Sequence, residues 1–287
     1  MTRTARLAIH HGMHRLQVAG YEHARHEAEW LLSRLMGLHP LELYVEERTI
    51  PEPTLERYLA EIDARASGIP LQYLVGETEF FGAPFAVASG VFIPRPETET
   101  VLEAAVGALR ELQERLGHPL RLLDLGTGTG CIAVTLARCL PACVVVGVEV
   151  SWEALQIASA NVRRHGLSER IQLVQGWWAG AIRTRVDGII SNPPYVPSVQ
   201  VDHLPLDVRY EPRLSLDGGP DGMRDLSHIM REAERLLTPG GLLALECAES
   251  QVARLTEMAR AAGWAQRIRA LHDLAQRPRG VLVVRSR

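Results

Sequence analysis

Four consecutive residues, Asn192-Pro193-Pro194-Tyr195, follow the apolar run Asp187-Gly188-Ile189-Ile190-Ser191, and their types restrict what that place can do. Proline has no N–H and cannot continue a sheet ladder, and the residue before each proline is pushed towards extended geometry. The turn is therefore stiff. It leaves two oxygens without a ladder partner: the side-chain amide oxygen of Asn192 and the backbone oxygen of Pro193. Two fixed acceptors suit the two protons of an NH2 group on a planar amide or an aromatic amine. Such a nitrogen is a poor nucleophile because its lone pair is delocalised. Hydrogen bonds that hold it and favour positive charge on it promote attack on an alkyl group borne by a good leaving group. Alignment and electrostatics then matter more than a strong base, and no metal is required. Tyr195 is placed to pack on the planar group.

A second motif supplies the partner for that nitrogen. Asp124-Leu125-Gly126-Thr127-Gly128-Thr129-Gly130 lies between an apolar strand and a helix. Glycines there permit a tight turn and a close approach of backbone to ligand. Glu149 closes the following strand, about 20 residues on, where an acid accepts hydrogen bonds from both ribose hydroxyls in such folds. Gly128-x-Gly130-x-x-Ala133 also fits the dinucleotide fingerprint, so the loop alone leaves NAD and S-adenosylmethionine open. The Asn192–Tyr195 turn favours the second, whose sulfonium methyl matches the nitrogen chemistry; an NAD-dependent oxidoreductase has no use for that turn, and no proton-relay group stands out. All 31 basic residues are arginine, which removes lysine Schiff-base and P-loop mechanisms.

The elements that must position these motifs follow from periodicity. Residues 1–72 carry Leu7, Leu16, Ala28, Leu31, Leu32 and Leu35 at helical spacing and a second run from Leu55 to Ala66, which predicts a small helical domain. Residues 73–100 alternate aromatic and β-branched residues with Gly76, Gly82, Pro84 and Gly90, which predicts a β-hairpin linker ending in Ile93-Pro94-Arg95-Pro96-Glu97-Thr98-Glu99. Residues 101–287 alternate short apolar strands with helices: strands at 120–125, 144–148, 171–174, 188–191, 242–247 and 280–284. That pattern predicts an α/β domain whose parallel sheet is covered on both faces.

Taken together, the glycine loop, the Asn192–Tyr195 turn, the Pro94–Glu99 segment and Tyr210-Glu211-Pro212 resemble the bacterial release-factor glutamine methyltransferases (the PrmC/HemK family) over nearly the whole chain. The resemblance implies a Rossmann-like seven-stranded methyltransferase sheet and a helical domain that grips a protein substrate. It also implies methyl transfer from S-adenosylmethionine to the glutamine side-chain nitrogen in the Gly-Gly-Gln loop of a peptide chain release factor. By motif match, Gly126, Thr127, Gly128, Thr129 and Gly130 line the cofactor, Glu149 takes the ribose, Trp177 lies by the adenine and Asn192 is where cofactor and substrate meet. Pro193, Pro194 and Tyr195 contact the glutamine. The chain departs from the family pattern at Glu149, usually Asp; at Gly176, often Asp; and at Ala248, usually Gly.

An adenine-N6 nucleic-acid methyltransferase uses the same turn on a flipped base. It predicts a basic face and a recognition domain, whereas the net charge is −3. Methylation of a glutamine in ribosomal protein L3 is the other alternative, and a helical adaptor built on a nucleotide-sensing fold leaves the turn unused. Met1–Met13 has no apolar signal core, no apolar run approaches the ~20 residues of a membrane span, and Cys131, Cys139, Cys143 and Cys247 form no CxxC pair. A cytoplasmic, monomeric enzyme with no membrane and no direct nucleic-acid partner is the expectation. The pairs His10/His14 and His23/His26 read as solvated helix faces rather than metal ligands. Arg95 is either solvated or paired with Glu97 or Glu99.

Overall fold

The computed structural model describes residues 4–45, 48–273 and 275–286. The part of the N-terminal reading that rests on Met1–Arg3 lies outside the described residues. Two compact units result: Met1–Glu77 with Pro205–Tyr210, and Thr78–Leu204 with Glu211–Arg287.

The first unit is helical: α1 (Ala5–Val18), α2 (Ala24–Met36), α3 (Glu42–Val45), α4 (Glu52–Ala66) and α5 (Leu71–Val75). Gly37 ends α2 in the left-handed region, and Pro51 caps α4. Leu16, Leu31, Leu32, Leu43, Tyr58 and Ile62 form its core. Leu7, part of the predicted stripe, is exposed; Ala5, Ala8, Ile9 and Leu16 form the buried face of α1. At 100° per residue those four lie on one side and Leu7 does not. His10, His14, His23 and His26 are all exposed.

Segment Pro205–Tyr210 joins this unit through a buried ion cluster. The Arg65 guanidinium grips Glu27 with two bonds, 2.6 and 3.1 Å, reaches Asp207 at 3.3 Å, and stacks 3.8 Å over the ring of Tyr21. Nothing in the local pattern around Pro205 announces that the chain leaves the α/β region and returns. The reason is tertiary: one buried arginine from α4 gives one donor to the nearby Ile69 carbonyl at 3.2 Å and offers the rest to the distant carboxylates of Glu27 and Asp207.

The second unit begins with the hairpin β1 (Glu77–Phe80) and β2 (Ala83–Ala86), followed by α6 (Pro96–Leu116), β3 (Leu120–Leu125), α7 (Cys131–Cys139), β4 (Cys143–Glu149), α8 (Trp152–Arg164), β5 (Ile171–Gln175) and β6 (Val186–Ser191). After α9 (Ser198–Val201) and α10 (Leu206–Arg209, within the segment just described) come α11 (Arg224–Leu236), β7 (Leu237–Glu246), α12 (Val252–Ala261), β8 (Ala265–His272) and β9 (Pro278–Arg285). The sheet has seven strands in the order β5-β4-β3-β6-β7-β9-β8. Helices α6, α7 and α8 contribute to the core on one face, through Leu102, Leu109, Leu136 and Val162. Helices α11 and α12 cover the other, through Leu226, Ile229, Met230 and Leu255.

Five strands are parallel, as the alternation predicts, but β9 runs antiparallel to β7 and to β8. The connection from His272 to Pro278 is too short for a crossover helix, so those two strands form a hairpin. The strand β8 is absent from the sequence expectation because it is an edge strand. Arg267 and Arg269 keep its outer positions polar, and no apolar run marks it. Among the described residues no helix is long and apolar enough to cross a membrane.

Candidate active site

Both motifs arrive at the carboxyl ends of neighbouring strands. β3 pairs with β4 on one side and β6 on the other, so the glycine loop, Glu149 and Asn192 all emerge at one edge of the sheet. Ligands bind at that edge in open α/β folds.

The loop after β3 is held by residues that it shares with its neighbours. Gly126 and Thr127 donate to the Val148 carbonyl at 2.9 and 3.0 Å. Asp124, fully buried, accepts from the Thr127 hydroxyl at 2.5 Å and the Ala133 amide at 3.0 Å. Burial raises its carboxyl to about 7, against those two donors, which lower it. The Thr129 carbonyl accepts from Asn161 Nδ2 at 2.9 Å, and the same side chain bonds both the N–H and the C=O of Ala86 in β2. Asn161 thus ties the loop to the hairpin. Sequence reasoning did not select it; the available signal is a polar residue on the buried face of α8, beside Ala158 and Val162.

Glu149 is placed as predicted, and both its oxygens are occupied by backbone donors. Oε2 accepts from the Gly128 amide at 3.0 Å; Oε1 accepts from Val150 at 2.8 Å and Ser151 at 3.0 Å. Gly128 has φ +55, and a Cβ built there would meet nothing closer than the Gly126 carbonyl at 4.0 Å. The loop is therefore an open cradle of backbone beside a carboxylate, which fits a nucleoside with vicinal hydroxyls. Trp177 stands half exposed beyond β5. Its neighbour Trp178, at φ +46, was not singled out by the sequence; its Nε1 donates to Asp225 at 3.1 Å and its ring packs over Gly126.

The Asn192–Tyr195 turn is held from four directions. Asn192 Nδ2 donates to Thr98 Oγ1 at 3.0 Å. Among the described residues no donor bonds Asn192 Oδ1 or the Pro193 carbonyl, so the two acceptors stand free. The Tyr195 hydroxyl donates to Glu246 Oε1 at 3.2 Å, and burial, with the nearby Glu246 charge, pushes that phenol well above its ordinary range. The Tyr195 carbonyl accepts from Gln251 Nε2 at 2.8 Å. The backbone then runs against the 216–222 loop, where Val196 N–H bonds the Leu216 carbonyl and Gly218 N–H bonds the Val196 carbonyl. A Cβ at Gly222 would fall 2.2 Å from the Tyr195 carbonyl oxygen, so only glycine allows this approach.

Arg95 pairs with neither of its expected partners. Its guanidinium bonds the buried Glu211, which also accepts from the Ile93 amide at 2.9 Å, while Glu97 lies 3.8 Å from Arg279 and Glu99 accepts from the Phe81 amide. Pro96 starts α6, so Glu97 and Glu99 lie on the helix, whereas Arg95 is in the extended residue before it. The Tyr210-Glu211-Pro212 segment thus meets the Pro94–Glu99 segment through one buried carboxylate.

Sheet order, backbone cradle and free acceptors together define a class: an S-adenosylmethionine-dependent methyltransferase. Two family models match the chain, "PrmC N-terminal domain" over residues 8–76 and "Methyltransferase small domain" over residues 102–204. A release factor glutamine methyltransferase of Moorella thermoacetica is 40% identical over 284 residues, covering 98% of this chain and 99% of that protein. One from Geobacter sulfurreducens is 42% identical over 230 residues, covering 79% of this chain and 78% of that protein. A solved methyltransferase from Pyrococcus furiosus shares the fold, with TM-score 0.53 at 18% identity, covering 83% of this chain and all of that one. The chain belongs to the release factor glutamine methyltransferase family.

Proposed function

We propose that this chain transfers a methyl group from S-adenosylmethionine to the side-chain amide nitrogen of the glutamine in the Gly-Gly-Gln loop of peptide chain release factors. The observation that carries the reading is the pair of free acceptors, Asn192 Oδ1 and the Pro193 carbonyl, on a turn held at Asn192 Nδ2, the Tyr195 hydroxyl and the Tyr195 carbonyl. When bound, the cofactor supplies an electrophilic methyl on a positively charged sulfur. The two acceptors take one amide N–H each, which fixes the glutamine nitrogen and offsets the positive charge that builds on it during attack. Once the nitrogen carries the methyl, one of those protons passes by way of its hydrogen bond to solvent, because neither amide oxygen is basic enough to keep it. Pro194 and Tyr195 flank the planar amide and keep water from it. Gly126 to Gly130 cradle the cofactor, Glu149 accepts from its ribose and Trp177 lies by its adenine.

The division of labour follows the same reading. The helical domain, 1–72, grips the release factor; 73–100 links; 101–287 performs transfer. The match of residues 8–76 to a family N-terminal domain supports this. The net charge of −3 supports a protein rather than a nucleic-acid partner. The enzyme acts in the cytoplasm as a monomer.

The test is to incubate the protein with radiolabelled S-adenosylmethionine and either purified release factor or DNA. Label on the release factor is expected; label on DNA, or on neither, defeats the proposal. Asn192→Ala should abolish transfer while leaving cofactor affinity within about threefold, since that side chain stabilises the attacking nitrogen rather than the nucleoside.

A further inference from the structure

The last residue of β7 is acidic, and the chemistry above gives it no task. Glu246 is 2% exposed and sits among the groups that hold the Asn192–Tyr195 turn. Its Oε1 accepts from the Tyr195 hydroxyl at 3.2 Å. The Thr98 hydroxyl is near enough to the same carboxyl to favour its charged form, and Oε2 is buried with no hydrogen-bond partner among the described residues. Thr98 Oγ1 in turn accepts from Asn192 Nδ2 at 3.0 Å, a contact spanning 94 positions of the chain.

A hydroxyl has one proton to give, and an amide has one donating and one accepting end. Where the proton of Thr98 goes therefore settles which way the Asn192 amide faces. We propose that Glu246 is a positioning residue for methyl transfer: as a carboxylate it draws the hydroxyl protons of Thr98 and Tyr195, obliges Thr98 Oγ1 to accept from Asn192 Nδ2, and so leaves Asn192 Oδ1 turned out as the acceptor for the substrate NH2. This rests on the reading of Asn192 given above. A buried charge is expensive to maintain, and a neutral side chain would fill the volume equally well. The charge is what the two hydroxyls require, because a carboxylate only accepts.

The charged and titratable groups around it are Glu97 on α6, Arg279 on β9, Tyr195 and the adjacent Cys247. Burial raises the Glu246 carboxyl to about 7; Thr98, Tyr195 and Arg279 lower it, and Glu97 raises it further. Below that pH the carboxyl gains a proton, can donate as well as accept, and no longer obliges both hydroxyls to point their protons at it. Activity should therefore fall on the acid side of neutrality and rise as the group ionises.

The test compares the full-length protein with Glu246→Gln, Thr98→Val and Asn192→Ala, measuring kcat, KM for each substrate and cofactor affinity by calorimetry, from about pH 5.5 to about 8.5. Glu246→Gln should lower kcat about tenfold or more, leave cofactor affinity unchanged and remove the acid limb of the profile. Thr98→Val should reproduce most of the kcat loss and remains decisive if Glu246→Gln does not fold. Wild-type kcat in Thr98→Val, or a Glu246→Gln variant that keeps either its kcat or its acid limb, overturns the proposal. An active Asn192→Ala would instead sink the reading of the turn itself, so the two failures are separable.

Discussion

Gln251 Nε2 donates to the backbone carbonyl of Tyr195 at 2.8 Å and, with its other proton, to that of Gly222 at 3.1 Å. Its Oε1 accepts from the Ala248 amide at 2.9 Å, so every polar group of this nearly buried side chain is in use. Tyr195 is thus held at its phenol by Glu246 and at its carbonyl by Gln251, two residues of one short stretch that begins at the end of β7. The same stretch carries Ala248 where the family pattern usually has glycine. Ala248 enters the network through its backbone alone, its N–H to Gln251 Oε1 and its carbonyl from the Gln251 amide at 2.9 Å, which a side chain there does not disturb.

Replacing Gln251 by Ala removes both donors and leaves two interior carbonyls unpaired. The expected cost is about 1–3 kcal/mol of stability, read as a lower urea midpoint, together with a drop in kcat because Tyr195 is no longer fixed. An unchanged midpoint with unchanged kcat would show that the Tyr195 backbone is held by other means.

Glu149 ties down the Gly128, Val150 and Ser151 amides, so its carboxylate arrives at the cradle already oriented. Glu149→Ala should weaken S-adenosylmethionine binding about 10- to 100-fold, the size of losing charge-assisted hydrogen bonds, and calorimetry measures it directly. Affinity retained within about twofold would remove Glu149 from the cofactor site.

Arg65 is the centre of the helical unit's buried ion cluster, and Glu27 and Asp207 depend on it for a countercharge. Arg65→Met leaves both carboxylates without it and should cost about 3–5 kcal/mol of that unit's stability. Hydrogen exchange should quicken across residues 4–77 and 205–210 while the glycine loop keeps its protection. Equal protection in variant and parent would mean that the cluster contributes nothing net.

Several elements were legible because their signals are local. The strands at Leu120–Leu125 and Val186–Ser191 are apolar runs whose ends are marked by Gly126 and Pro193, and α6 is opened by Pro96. The helix stripe around Leu31 and Leu32 is likewise local. What escaped was whatever depends on a partner far along the chain. The strand β8 has no apolar signature because its place at the sheet edge leaves it half solvated. Arg95 sits beside two acidic residues in sequence, yet its partner is Glu211, because the backbone before α6 is extended and turns the guanidinium away from the helix.

The sequence by itself determined the chemistry: a stiff Asn192–Tyr195 turn with two spare acceptors, a glycine loop with an acid one strand later, and the α/β alternation that carries both to one sheet edge. These follow from residue types and short spacings, since proline, glycine and hydrophobic period act within a few residues. Only the tertiary structure decided which groups hold the turn. Thr98, Glu246 and Gln251 come from three separate elements and meet Asn192 and Tyr195 only once the sheet is assembled. A buried hydrogen bond must be completed by whatever the fold brings near, and no local pattern records that choice.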